Sequence, residues 1–89
     1  MDHTIKVCED DNVNVHGSDK IIWKNTQALP VSIIKHPDNE FPFKPGPPII
    51  VFPLVPAISH VRNDLPARDY KYNVEGCPKE VTPKTVIIS

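Results

Sequence analysis

The residues of this 89-residue chain with the chemistry to hold a metal or attack a substrate are two cysteines, Cys8 and Cys77, and four histidines, His3, His16, His36 and His60. Thiolate and imidazole are the donors that copper and zinc select, and a thiol beside an imidazole is also the nucleophile–base pair of covalent catalysis. Their spacing supports neither use. The cysteines match no zinc-ribbon or Cys-x-x-Cys pattern and stand as either one bridge or two ordinary buried thiols. The histidines show no i, i+2 or i, i+4 pairing and no accompanying acid motif, so they read as exposed, solvated imidazoles, with His36-Pro37-Asp38 as a turn. No glycine-rich oxyanion loop, paired acid motif or phosphate cradle accompanies Cys8 or Cys77, and a chain this short has little room for a cleft. An enzyme is not expected.

Whatever these residues do, strands must position them. Eleven prolines against three glycines, with valine and isoleucine as the main apolar residues, favour short strands joined by stiff loops and little or no helix. One domain, residues 1–89, is expected, burying only about 60–65% of its unfolded surface. The formal net charge is −1 with both signs interspersed, which leaves no electrostatic footprint for nucleic acid or an anionic membrane. No apolar run approaches the roughly 20 residues of a membrane span, and the longest, Ile49-Ile50-Val51-Phe52, is of strand length. A soluble protein is expected. With a strand-like segment at the very start and no signal-type region, the chain reads as cytoplasmic or as lacking a leader or neighbouring domain.

His3 to Cys8 alternates polar and apolar and predicts a first strand, closed by Glu9, Asp10 and Asp11. Asn12 to His16 is a short second strand, Gly17-Ser18-Asp19 a tight turn, and Lys20 to Asn25 a β-rich run in which Trp23 anchors the core. Val31 to Lys35 follows, flanked by prolines. The stretch "HPDNEFPFKPGPP" suits irregular extended backbone, pinned by Phe41 and Phe43. Ile49 to Phe52, Ala57 to Val61, Tyr70 to Glu75 and Lys84 to Ile88 complete the strands. Short strands at regular spacing with turns between them predict an antiparallel sandwich or barrel.

"VNVHGSDKIIWKN" resembles the cupredoxin segment in which a short strand, a Gly-Asp-type turn and a Trp-bearing strand ending in Asn follow one another. "LPARDYKYNVEGCP" followed by "TPKTVIIS" is similar to that family's closing strand pair, with Tyr-x-Tyr leading into the metal loop. The resemblance implies an all-β Greek-key sandwich of seven or eight strands, with the first strand parallel to the Trp23 strand. An immunoglobulin-like sandwich is the rival, since Cys8, Trp23 and Cys77 follow that fold's Cys–Trp–Cys order, though Trp23 comes too early. Blue-copper members use a histidine after the Trp strand, then a cysteine, a second histidine and an axial methionine around the last loop. Carried across, those positions fall on Val31, Val74, Cys77 and Thr82, while the only methionine is Met1. Valine has no lone pair to donate, and two of them make a dry pocket that disfavours a cation. No type-1 copper site and no cofactor are therefore expected. In the same arrangement the first strand ends beside the closing loop, so Cys8 and Cys77 either bridge there or remain two thiols.

The resulting expectation is a metal-free, cupredoxin-like binding or structural module with a protein partner or neighbouring domain. The alternative is a copper or other metal-binding or redox protein with an altered site using Cys77 and a nearby histidine. The stretch "FPFKPGPPIIVFPLVP" reads either as core cover or as a semi-rigid apolar ridge for a partner. Candidate surface residues are Phe41 and Phe43, or Pro30, Val31 and Pro78 at the closing-loop end. Family resemblance favours a periplasmic, extracellular or cell-surface location.

Overall fold

The computed structural model describes residues 1–10, 12–78 and 83–89, and among these there is no helix. Among the described residues nine strands form, eight of them close to where the alternation placed them and β5 in addition: β1 (Asp2–Lys6), β2 (Asn12–Val15), β3 (Lys20–Lys24), β4 (Val31–Lys35), β5 (Phe43–Lys44), β6 (Ile49–Val51), β7 (Ala57–Val61), β8 (Arg68–Glu75) and β9 (Lys84–Ile88). One sheet has the order β1-β3-β7-β5 and the other β2-β9-β8-β4-β6. The expected parallel pairing of β1 with β3 is present, in the register Ile5 to Trp23, and β2 runs parallel to β9. The other pairings are antiparallel. The architecture is an all-β Greek-key sandwich.

Two boundaries differ from the sequence reading. Cys8 lies beyond β1 in a turn, because both the Glu9 and the Asp10 amides fold back to donate to the Lys6 carbonyl. The proline-rich stretch contains a strand of its own, β5, which pairs Phe43 with Val61 and Lys44 with His60. Prolines on both sides limit it to two residues, since each removes a ladder donor.

Period-two alternation sends Ile5, Ile21, Trp23, Ile33, Tyr70, Tyr72 and Val86 inward. Trp23 is the centre of this core. Phe43 meets it edge-on at 5.0 Å and Tyr72 at 5.8 Å between ring centroids, and Phe41 meets Phe43 edge-on at 5.5 Å. Such pairs add about 0.5–1.5 kcal/mol each beyond area burial. The buried indole N–H donates to the Ser59 hydroxyl at 2.7 Å, which removes the penalty of an unsatisfied donor. Tyr70 leads β8 into the sheet, its hydroxyl donating back to the Pro66 carbonyl at 2.7 Å.

The two ends of the sandwich are tied differently. At one, Asp19 is buried and its carboxylate accepts from the His16 amide at 2.9 Å, contacts the His3 imidazole at 2.8 Å and pairs with the Met1 amine at 3.2 Å. The His16 amide first, and the His3 ring second, hold the Asp19 carboxyl well below the usual carboxylate range. At the other, Cys8 and Cys77 are joined in a disulfide across a separation of 69 residues.

Asp19→Asn should lower unfolding free energy at pH 7 by about 1–3 kcal/mol, because buried donors lose a charged acceptor. A depressed carboxylate stabilises above its unfolded pKa of about 4 and loses that contribution as pH falls further. Urea unfolding from pH 7 to about pH 2.5 should therefore show the gap between wild type and variant closing below about pH 4, and a gap constant with pH would refute the assignment. Replacing both cysteines by serine should cost about 4 kcal/mol in the loop-closure account, read in the same urea experiment under non-reducing conditions.

Candidate functional site

β8 leaves its sheet through Glu75, Gly76 and Cys77, beside the start of β4. Gly76 has a φ of +100°, and a Cβ there would stand 2.9 Å from the Pro30 carbonyl oxygen and 3.3 Å from the Val31 Cα. Only glycine lets the two segments approach this closely. Across from them the turn after β1 is fixed by the Val7 amide, which donates to the Lys24 carbonyl, and by the Asp10 carboxylate, which accepts from the Lys6 amide at 2.8 Å. The disulfide closes the gap between turn and loop. Asn25, buried at the end of β3, binds three strangers at once: its side-chain amide donates to the Leu29 and Val51 carbonyls, and its oxygen accepts from the Gln27 amide. That one side chain locks the β3–β4 loop to the end of β6.

The cupredoxin resemblance puts the ligand-equivalent positions at this end. The structure does bring the ligand-equivalent segments together, since Val31 contacts Gly76 and Val74 pairs across strands with Ile33. Val31 is buried and Val74 packs half-buried on the core, and neither carries a donor atom. The Cys77 sulfur is bonded to Cys8. Thr82 lies outside the described residues. The histidines are not near: His3 and His16 meet Asp19, His60 pairs with Lys20, and His36 follows the far end of β4, all at the opposite end of the sandwich. Among the described residues no three or more His, Cys, Asp or Glu side chains are placed to hold a metal ion. Among the described residues, those at the ligand-equivalent positions do not fit a copper centre.

Three of the candidate surface residues are corrected. Phe41 and Phe43 are buried in the aromatic cluster and Val31 is buried under Gly76, so none can meet a partner. β5 turns Phe43 inward because it shares its inner-face row with Val61, and Phe41, ahead of the strand, packs edge-on against Phe43. Pro30 and Pro78 are exposed. Within the stretch that the sequence offered as core cover or apolar ridge, the residues open to water are Leu54, 96% exposed, Phe52 and Val55, and Leu29, which the sequence reading did not single out, is 71% exposed. Phe52 and Val55 form an isolated bridge that makes Phe52-Pro53-Leu54-Val55 a hairpin tip. The signal for it was Pro53 and Pro56 bracketing a Leu-Val pair, which marks a turn that must show apolar side chains to water. Lys24, Asn25, Thr26, Leu54, Val55 and Pro56 line a shallow cavity of about 280 Å³, and Gln27, Ala28, Leu29, Gly76 and Pro78 a second of about 220 Å³.

No family model matches the chain. No curated protein matches it by sequence. Among solved structures it is similar to mutants of amicyanin. An oxidized methionine-to-lysine mutant aligns with TM-score 0.62 at 14% identity, over 97% of this chain and 80% of that one. A methionine-to-glutamine mutant in its Cu(I) form gives 0.65 at 12% identity, over 99% and 82%. The reduced Cu(I) form at pH 4 of a proline-to-glycine mutant gives 0.61 at 14%, over 97% and 80%. At such identities the likeness speaks for the backbone alone. Together with the parallel β1–β3 pairing and the two-sheet order, it establishes that this chain has the cupredoxin-like fold.

Proposed function

We propose that the chain is a metal-free, cupredoxin-like protein-binding module, not an electron carrier, and that it docks through the disulfide-bearing end. The observation that carries this is Leu54. Its side chain is almost wholly in water, and its backbone sits at φ +66°, in the left-handed region that costs a non-glycine residue about 1–2 kcal/mol. An apolar residue that is both exposed and strained stabilises nothing within the monomer. Leu29, Phe52 and Val55 extend the apolar surface, and Asn25 holds the two segments that carry them in fixed relation. Pro30 and Pro78 border it on rigid backbone. A pre-ordered apolar end of this kind loses little entropy on docking, and single-domain surfaces rarely expose such a cluster without a partner. The reading also places the protein in an oxidising compartment, where a bridge such as Cys8–Cys77 persists.

Leu54→Asp should leave urea stability within about 0.5 kcal/mol of wild type while removing most of the fluorescence of a bound apolar dye such as bis-ANS. Phe43→Asp, by contrast, should prevent folding. Loss of stability in the Leu54 variant would assign the tip to the core and remove the docking reading. Cu(II) added to the oxidised chain should give no intense blue band, and the appearance of one would overturn the metal-free assignment.

A further inference from the structure

Charges that look interspersed along the sequence are sorted by strand parity in the fold. Inward residues of the four-stranded sheet are Ile5, Ile21, Trp23, Ser59, Val61 and Phe43, so its outer face carries the alternate positions. Register aligns these into rows: Asp2, Lys20, His60 and Lys44 across all four strands, then Thr4, Ile22 and Ile58, then Lys6 and Lys24. The face thus bears four lysines and His60 against one acid, Asp2. Among the described residues none of these lysines makes a salt bridge. Of the nearby acids, Asp64 is paired with the Arg62 guanidinium at 2.7 Å while its charge also reaches Lys44, Asp10 accepts from the Lys6 amide and Glu9 from the Thr26 hydroxyl. Strand geometry separates the two cationic rows by about 13 Å. Between them Ile58 is 46% exposed beside half-buried Ile22.

From this arrangement we infer that the outer face of the β1-β3-β7-β5 sheet binds an acidic protein segment, with carboxylates on the two lysine rows and an apolar side chain on Ile22 and Ile58. The apolar centre selects protein over a sulfated polysaccharide or nucleic acid, whose charged backbones offer nothing to place on two isoleucines. Cationic rims around an apolar centre give orientation and fast encounter to such a partner. Lys24 also lines the cavity beneath Leu54, which makes the face continuous with the apolar end. The inference therefore rests on the binding-module reading and supplies the partner's chemistry.

A phage-displayed library of random dodecapeptides, selected on the oxidised chain, tests both. Parallel selections use Lys6→Glu/Lys24→Glu/Lys44→Glu and Leu54→Asp, each first shown to melt as wild type does. Wild type should enrich peptides rich in Asp and Glu around an apolar residue, and their affinity should fall about tenfold or more between about 50 and 300 mM salt. The charge-reversed chain should lose that enrichment, and Ile58→Ser should weaken the selected peptides. Enrichment without acidic residues, or acidic peptides that bind the charge-reversed chain equally well, would overturn the inference while leaving the apolar end standing if Leu54→Asp abolishes binding. No enrichment on any chain would remove both. Retention on immobilised heparin that survives Ile58→Ser would reassign the face to polysaccharide and also overturn it.

Discussion

Trp23 has to be buried between two sheets and still find an acceptor for its indole N–H, and much of the sandwich is arranged around that demand. Ser59, on the neighbouring strand β7, provides the acceptor. Tyr72 closes the indole from the opposite sheet and Phe43 from the edge of its own. A strand of only two residues holds Phe43 there, so the proline-rich crossover is anchored more by one buried ring than by ladder hydrogen bonds. Because β1 lies parallel against β3, the same centre fixes where the first strand ends, and hence where Cys8 can reach Cys77.

The two ends of the sandwich have diverged in chemistry. One joins His3, the His16 amide and buried Asp19 in a hydrogen-bonded network, while the other is apolar, closed by a covalent bridge and a buried asparagine. There Val31 and the bare α-carbon of Gly76 close-pack, and the Cys77 sulfur is bonded to Cys8. What this leaves accessible is hydrocarbon from the two flanking loops.

Much of the fold was legible because strand alternation is a strong local signal. Val31–Lys35, Ala57–Val61 and Lys84–Ile88 lie where the sequence puts them, and the parallel β1–β3 pairing follows from the family resemblance. β5 was hidden because prolines argue against a ladder, and only the tertiary need to bury Phe43 reveals it. The candidate site was half legible. The approach of Val31 to the Gly76 loop could be anticipated from motif order, whereas hydrophobicity alone could not decide between core cover and exposed ridge for the stretch that carries Phe52 and Leu54. The lysine face was invisible for a different reason: residues 2, 20, 44 and 60 become neighbours only through sheet order and register.

The five-stranded sheet ends in β2, whose outward residues Asn12 and Asn14 are polar, and in β6, three residues long between Pro48 and Pro53. Neither border offers a run of unpaired amides long enough to template an incoming strand. Cross-β growth from this sheet is thereby suppressed even though its last strand carries exposed isoleucine. Recognition is left to side chains projecting from loops and faces, and at the β6 border it is the flanking prolines that stop the ladder.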